Sequence, residues 1–133
     1  MIGLLLLGAM AFLFTRLNDR VSFKQDALTP SVFTVKAGSM SSFPFTVDRP
    51  AHVFGRFQAA GGDGNDIEAV IADAGNFANW QNGQPARVVY QSDKVTAGSI
   101  EVMLGPGQYD LAFNNRFSLL ADKSVTASIV LNH

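Results

Sequence analysis

Cysteine is absent from this 133-residue chain, so there is no disulfide framework, no thiolate nucleophile and no Cys metal site. Charge is scarce as well: 16% of residues are Asp, Glu, Lys or Arg, and ten basic side chains nearly balance eleven acidic ones. That balance offers no phosphate-neutralising face, which argues against nucleic acid as a partner. The two histidines, His52 and His133, have no neighbours at metal-ligand spacing. No G-x-S-x-G nucleophile elbow occurs, and Gly105-Pro106-Gly107 is followed by neither a lysine nor a helical pattern, so it is no phosphate loop. The only glutamates, Glu68 and Glu101, fall on strand positions that point outward, which leaves no carboxylate pair for glycoside chemistry. The expectation is a chain without enzymatic activity and without a cofactor.

The shortage of charge has a location. Residues 1–15 carry no charged side chain, and an apolar run extends from Ile2 to Phe14. As a helix, such a run reaches about 21 Å, short of the roughly 30 Å hydrocarbon core. Leu4, Leu5, Leu6, Leu7, Phe12, Leu13 and Phe14 are the anchoring side chains. At about 0.3 to 0.6 kcal/mol each, apolar residues of this kind favour insertion by roughly 2 to 5 kcal/mol. Residues 1–18 are therefore read as a short hydrophobic membrane-anchor helix, with Arg16 and Arg20 reaching back to the interface. Two other readings stand beside it: a signal peptide cleaved near Ala9-Met10-Ala11, and a buried helix of a soluble protein. Residues 19–30, polar and ending in Pro30, read as a linker. The basic residues after the run point to the cytoplasm by the positive-inside rule, and signal-sequence logic exports the domain. The expectation is a membrane-associated protein with its domain on the periplasmic face.

From Ser31 to His133 the pattern is that of strands. Val32 to Lys36 is a first run, and Phe43, Phe45 and Val47 alternate in a second, where Pro44 demands an edge position. Ala51 to Ala59 places Val53 and Phe57 on one face and His52, Arg56 and Gln58 on the other, with Phe54 a misfit on the polar side. Asp66 to Asp73, Arg87 to Gln91 and Ser124 to Leu131 continue the period of two. Ile100, Val102 and Leu104, then Tyr109, Leu111 and Phe113, flank Gly105-Pro106-Gly107 and predict a β-hairpin. About eight strands and no helix beyond the first twenty residues make an all-β fold, an antiparallel two-sheet β-sandwich.

Two loops and one turn carry the candidate binding residues. Ala74 to Ala86, read as a loop, holds Phe77 and Trp80 among amides, a composition suited to stacking on a sugar or other flat ligand or to capping the sandwich. Asn115, Arg116 and Phe117 open the second loop. Gly61 to Asp66 reads GGDGND, and Asp63, Asn65 and Asp66 are a weak Ca²⁺ candidate set beside an ordinary Gly/Asn turn.

The order of landmarks (FTV, PAHVFGRFQAAGG, NDIEAVIAD, FANW, YQSDKVTAGSIEVML, GPGQYDLAFNNRFS and KSVTASIVL) resembles the GOLD-like β-sandwich modules over roughly Phe33 to Leu131. The paired cysteines, coiled coil and C-terminal span of the eukaryotic cargo receptors are missing, so the resemblance implies fold and general role only: an N-terminally anchored, bacterial-type interaction module without a catalytic centre. The function this implies is a scaffold or accessory subunit bound to other membrane proteins of a larger complex and to the lipid bilayer. The second reading is a periplasmic ligand- or glycan-binding module that uses the Phe77/Trp80 loop.

Overall fold

The computed structural model describes residues 24–62 and 64–133. The anchor residues Leu4 to Leu7 and Phe12 to Phe14 lie outside them, as does Asp63. Among the described residues nine strands and one helix form two antiparallel sheets packed face to face. The larger sheet contains β1 (Gln25–Ala27), β2 (Val32–Val35), β4 (Ala51–Ala60), β7 (Ala97–Leu104) and β9 (Lys123–Asn132). Its central strand β9 pairs with β4 on one side and with β1 and then β2 on the other, and β4 pairs in turn with β7. The smaller sheet runs in the order β3 (Met40–Val47), β8 (Gly107–Asn114), β5 (Glu68–Asp73) and β6 (Tyr90–Gln91). Pro44 sits on β3, which among the described residues pairs only with β8, so the missing N–H costs no bond between the described strands.

Three expectations need correction. Ile100–Leu104 and Tyr109–Phe113 do not pair as a hairpin. Leu104 is opposite Ala51 in the larger sheet and Gly107 is opposite Val47 in the smaller one. The Gly105-Pro106 turn therefore carries the chain from one sheet across to the other, directly beside the Asp48-Arg49-Pro50 turn, which does the same. Two period-2 stripes can lie side by side on one sheet or face each other across a core, and alternation is identical in both cases. Second, Gln25–Ala27, placed in the linker by its polarity, is a strand on β9. Third, the stretch after Asp73 is a helix, α1 (Ala74–Gln81), rather than a loop. Asp73 caps it: its carboxylate accepts from the Asn76 backbone N–H at 2.9 Å and from the Asn76 side-chain amide at 2.8 Å. Those bonds hold the Asp73 carboxyl below the usual carboxylate range.

The core lies between the sheets. Val53, Phe57, Val125 and Ile129 from the larger sheet meet Ile71, Leu111 and Phe113 from the smaller. Phe113 is central, with Phe33, Phe43 and Phe57 edge-on around it at ring distances of 5.1, 6.3 and 5.5 Å. Helix α1 gives the smaller sheet a second buried face: Phe77 packs on Ala72 and Ala112, with Met40, Trp80 and Val88 around it. This explains why β5 reads as a continuous apolar run, Ala69-Val70-Ile71-Ala72, instead of alternating. The outer face of the larger sheet has no such cover among the described residues.

Candidate functional site

Alternation along β4, β7 and β9 sends His52, Phe54, Arg56 and Gln58, then Ser99, Glu101 and Met103, and then Thr126, Ser128 and Val130 to the uncovered face. The Phe54 ring, the misfit in the alternation, lies at this surface beside His52 at 4.9 Å between centroids. Met103 is 69% exposed. Between Phe54 and Gln58 the face sinks into a trough of about 650 Å³ that crosses the sheet from Thr29 and Ser31 at one edge to Ser99 at the other. A second hollow, lined by Gln25 and Phe54, joins it through Arg56, Ser128 and Val130.

Local sequence makes the trough. Ala97, Gly98, Ser99, Thr126 and Ser128 line it as small residues, and Gly55 interrupts β4 at φ +154°. A Cβ there would lie 2.0 Å from the Ser128 carbonyl oxygen, so only glycine lets β4 and β9 approach this closely. Gly98 leaves room in the same way for the Phe57 ring, whose Cζ would be 2.5 Å from an added Cβ. At the β7 edge the Tyr90 hydroxyl donates to the Ser99 carbonyl at 2.9 Å and ties the two sheets together. Burial pushes the Tyr90 phenol above its ordinary range. The carboxylate contacts of basic side chains among the described residues are His52 with Glu101 at 3.5 Å and His133 with Asp26 at 2.7 Å, which leaves the guanidinium of Arg56 without a carboxylate partner there.

The residues singled out in the sequence fare differently. Phe77 is buried under α1, while Trp80 is half-buried, stacked on it at 5.8 Å and roofed by the Arg116 guanidinium at 5.1 Å. Arg116 is fixed there by donating to the Gln81 carbonyl at 2.9 Å and to Asn114 Oδ1 at 3.1 Å. Trp80 and Arg116 thus come together, and with Phe77 they clamp the helix onto its sheet. Asn115 is wholly buried and is no exposed contact residue: its amide donates to the carbonyls of Val35, Lys36 and Ala121, and its Oδ1 accepts from Lys123 Nζ at 3.1 Å. Phe117 lies between the ammonium groups of Lys94 at 4.6 Å and Lys123 at 5.2 Å.

Around the Ca²⁺ candidates, Asn65 Oδ1 accepts from the Gly61 backbone N–H, and the Asp66 carbonyl accepts from Lys123 Nζ at 2.6 Å. Among the described residues no three metal-ligating side chains converge. The buried Lys123 went unnoticed in the sequence because a lysine at a strand start usually reads as solvated. Its only signal was its position, in phase with Val125, Ala127 and Ile129. The trough had two signals, Phe54 on a polar face and a glycine inside a strand.

At the end of the sandwich where β9 begins, the loop from Asn115 to Asp122 projects Leu119 and Leu120, 85% and 97% exposed. The described chain starts at the other end, where Lys24 and His133 exchange backbone hydrogen bonds at 2.7 and 2.9 Å. Ten residues of β9 separate the two ends, about 33 Å at 3.3 Å per residue.

The chain matches no protein-family model and no curated protein. No helix among the described residues is long and apolar enough to cross a membrane.

Proposed function

We propose that this chain is a non-catalytic interaction module of the GOLD-like type, tethered to a membrane by Leu4 to Leu7 and Phe12 to Phe14 and serving as an accessory, stabilising subunit of a larger membrane protein complex. The two-sheet architecture supports the reading, as does the apolar run of residues 2–14. The observation that carries it is the Leu119-Leu120 tip. Two adjacent leucines in water at the end of the sandwich away from Lys24 are placed to meet a neighbouring protein when the chain is tethered through its N-terminal segment. The anchor itself, too short to span comfortably, is better satisfied beside the transmembrane helices of the same assembly. On this reading the domain stands on the periplasmic face.

The test is native-mass analysis after mild solubilisation of the full chain, with and without Leu119→Ser and Leu120→Ser. The expected result is a stable assembly far above 14.3 kDa that loses its partners in the double variant while the domain melts at the same temperature. A monomer from the unaltered protein overturns the reading.

A second reading, a periplasmic ligand-binding module, is favoured by the trough in the larger sheet. Its binding residues are then Phe54 and Arg56 instead of Phe77 and Trp80, because the latter pair is spent on holding α1.

A further inference from the structure

We propose that the trough across the larger sheet binds an acidic oligosaccharide, with Arg56 receiving a sugar carboxylate and Phe54 offering a stacking surface to the neighbouring ring. The inference rests on the second reading above and specifies its ligand.

Shape comes first. The trough is about 650 Å³, within the roughly 300 to 1,000 Å³ of ordinary small-ligand sites, and it continues into the hollow at Phe54. It runs across the strands, from Thr29 beside β1 to Ser99 on β7. Strands β1, β9, β4 and β7 at about 4.8 Å spacing make that path roughly 14 Å long. The occupant is therefore elongated and lies across the strand direction. An extended peptide docks along a strand edge, where backbone N–H and C=O groups are unpaired, and the floor of this trough offers none because its strands are paired on both sides at β9 and β4.

Chemistry narrows the class. Thr29, Ser31, Gln58, Ser99, Thr126 and Ser128 line the trough with short neutral groups that both donate and accept, which is what a chain of sugar hydroxyls requires. Among the described residues Arg56 is the one charged side chain lining it, and none of the carboxylates there lines either hollow. A guanidinium in that position reads a carboxylate through two parallel N–H donors. Glu101 lies beyond Phe54, held by His52 at 3.5 Å, so the surface turns negative past the aromatic ring. That polarity sets a register: an acidic sugar at Arg56 and an uncharged ring face at Phe54 and His52. The floor strands β4 and β9 are paired continuously from Ser124 to Asn132, so little ordering is required when ligand enters.

The test titrates the full chain, in detergent micelles, with tetragalacturonate, maltotetraose and tetraglutamate by calorimetry. Tetragalacturonate is expected to bind, more weakly as salt rises, and to lose about ten-fold or more in affinity with Arg56→Gln. Phe54→Ala and the trough-filling Ser128→Leu should also weaken it, with melting temperatures close to that of the unaltered protein. Equal binding of maltotetraose or tetraglutamate, abolished by Ser128→Leu, overturns the acidic-saccharide class while the trough stands as a binding site. Tetragalacturonate binding unchanged in Arg56→Gln and Ser128→Leu overturns the proposed location. No binding by any of the three overturns both the inference and the ligand-binding reading, and leaves the accessory-subunit reading to its own native-mass test.

Discussion

Lys123 and Asn115 share a buried hydrogen bond of 3.1 Å, and between them they satisfy four carbonyl groups from three segments of the chain: Val35 and Lys36, Asp66, and Ala121. Lys123 is 1% exposed and Asn115 not at all. Asn115→Ala strands an ammonium and three carbonyls in the interior, and a loss of about 3 kcal/mol is expected. Lys123→Met keeps the volume and removes the charge together with its donors, so a smaller loss of about 1 to 2 kcal/mol is expected. Urea melts of both variants check the order, and a Lys123→Met protein less stable than Asn115→Ala contradicts this account.

Gly55→Ala is expected to destabilise by at least ~1 to 3 kcal/mol, because the added Cβ meets the Ser128 carbonyl at 2.0 Å and the backbone at φ +154° disfavours any side chain. Backbone cannot step aside as a flexible side chain can. Hydrogen exchange should localise the damage to the amides shared by β4 and β9, and unchanged protection there would contradict the close approach.

Asp110 faces outward on β8, flanked by Pro44 and Ala72 on its neighbouring strands, and burial raises its pKa above the model-peptide value of 3.8. The folded state therefore holds the proton more tightly than the unfolded chain. Stability falls as pH rises from about the unfolded value through the raised one. Asp110→Asn is expected to melt higher than the unaltered protein at pH 7, with the advantage fading in acid once the aspartate is protonated in both states. Asp73 works in the opposite direction: its pKa is lowered by the helix-cap bonds, so its contribution is present above 3.8 and is lost as pH falls through the lowered value. A flat difference between Asp110→Asn and the parent across acid and neutral pH would contradict the assignment.

The chain has one tryptophan, so its fluorescence reports the α1 clamp without ambiguity. Arg116→Ala uncovers the Trp80 ring and is expected to shift its emission to longer wavelength while costing about 0.5 to 1 kcal/mol. Phe77→Ala removes the side chain that covers Ala72 and Ala112, and about 3 kcal/mol is expected. An emission maximum insensitive to Arg116→Ala would show that the guanidinium does not roof the ring.

What was legible in the sequence follows from what alternation encodes. It reports which side chains face a core, so Val53, Phe57, Leu111, Phe113, Val125 and Ile129 were all identifiable as buried. It carries no information on which strand lies beside which, and so the Gly105-Pro106 turn passed for a hairpin when it is a crossing between sheets. The helix escaped because a segment of only eight residues, AGNFANWQ, contains one glycine, three amides and just two large apolar groups, and it is held by the Asp73 cap and by Phe77 instead of by propensity. Four of the five candidate interaction residues, Phe77, Trp80, Asn115 and Arg116, are taken up by contacts within the domain, for a related reason. Amides and aromatics in a loop look alike whether they meet a ligand or the loop's own carbonyls, and Asn115 does the latter. Phe54 was visible as an anomaly, but the trough beside it depends on small residues from strands far apart in the chain.

Among the described residues six of the eight strand-to-strand connections switch sheets, and β9 is the shared partner of β1, β2 and β4. During folding β4 and β7 can pair on their own, whereas β1 and β2 wait for Lys123–Asn132 before they join the sheet. Until β9 is in place the larger sheet has no central strand, and Phe57 and Phe113 have only part of the wall that later encloses them.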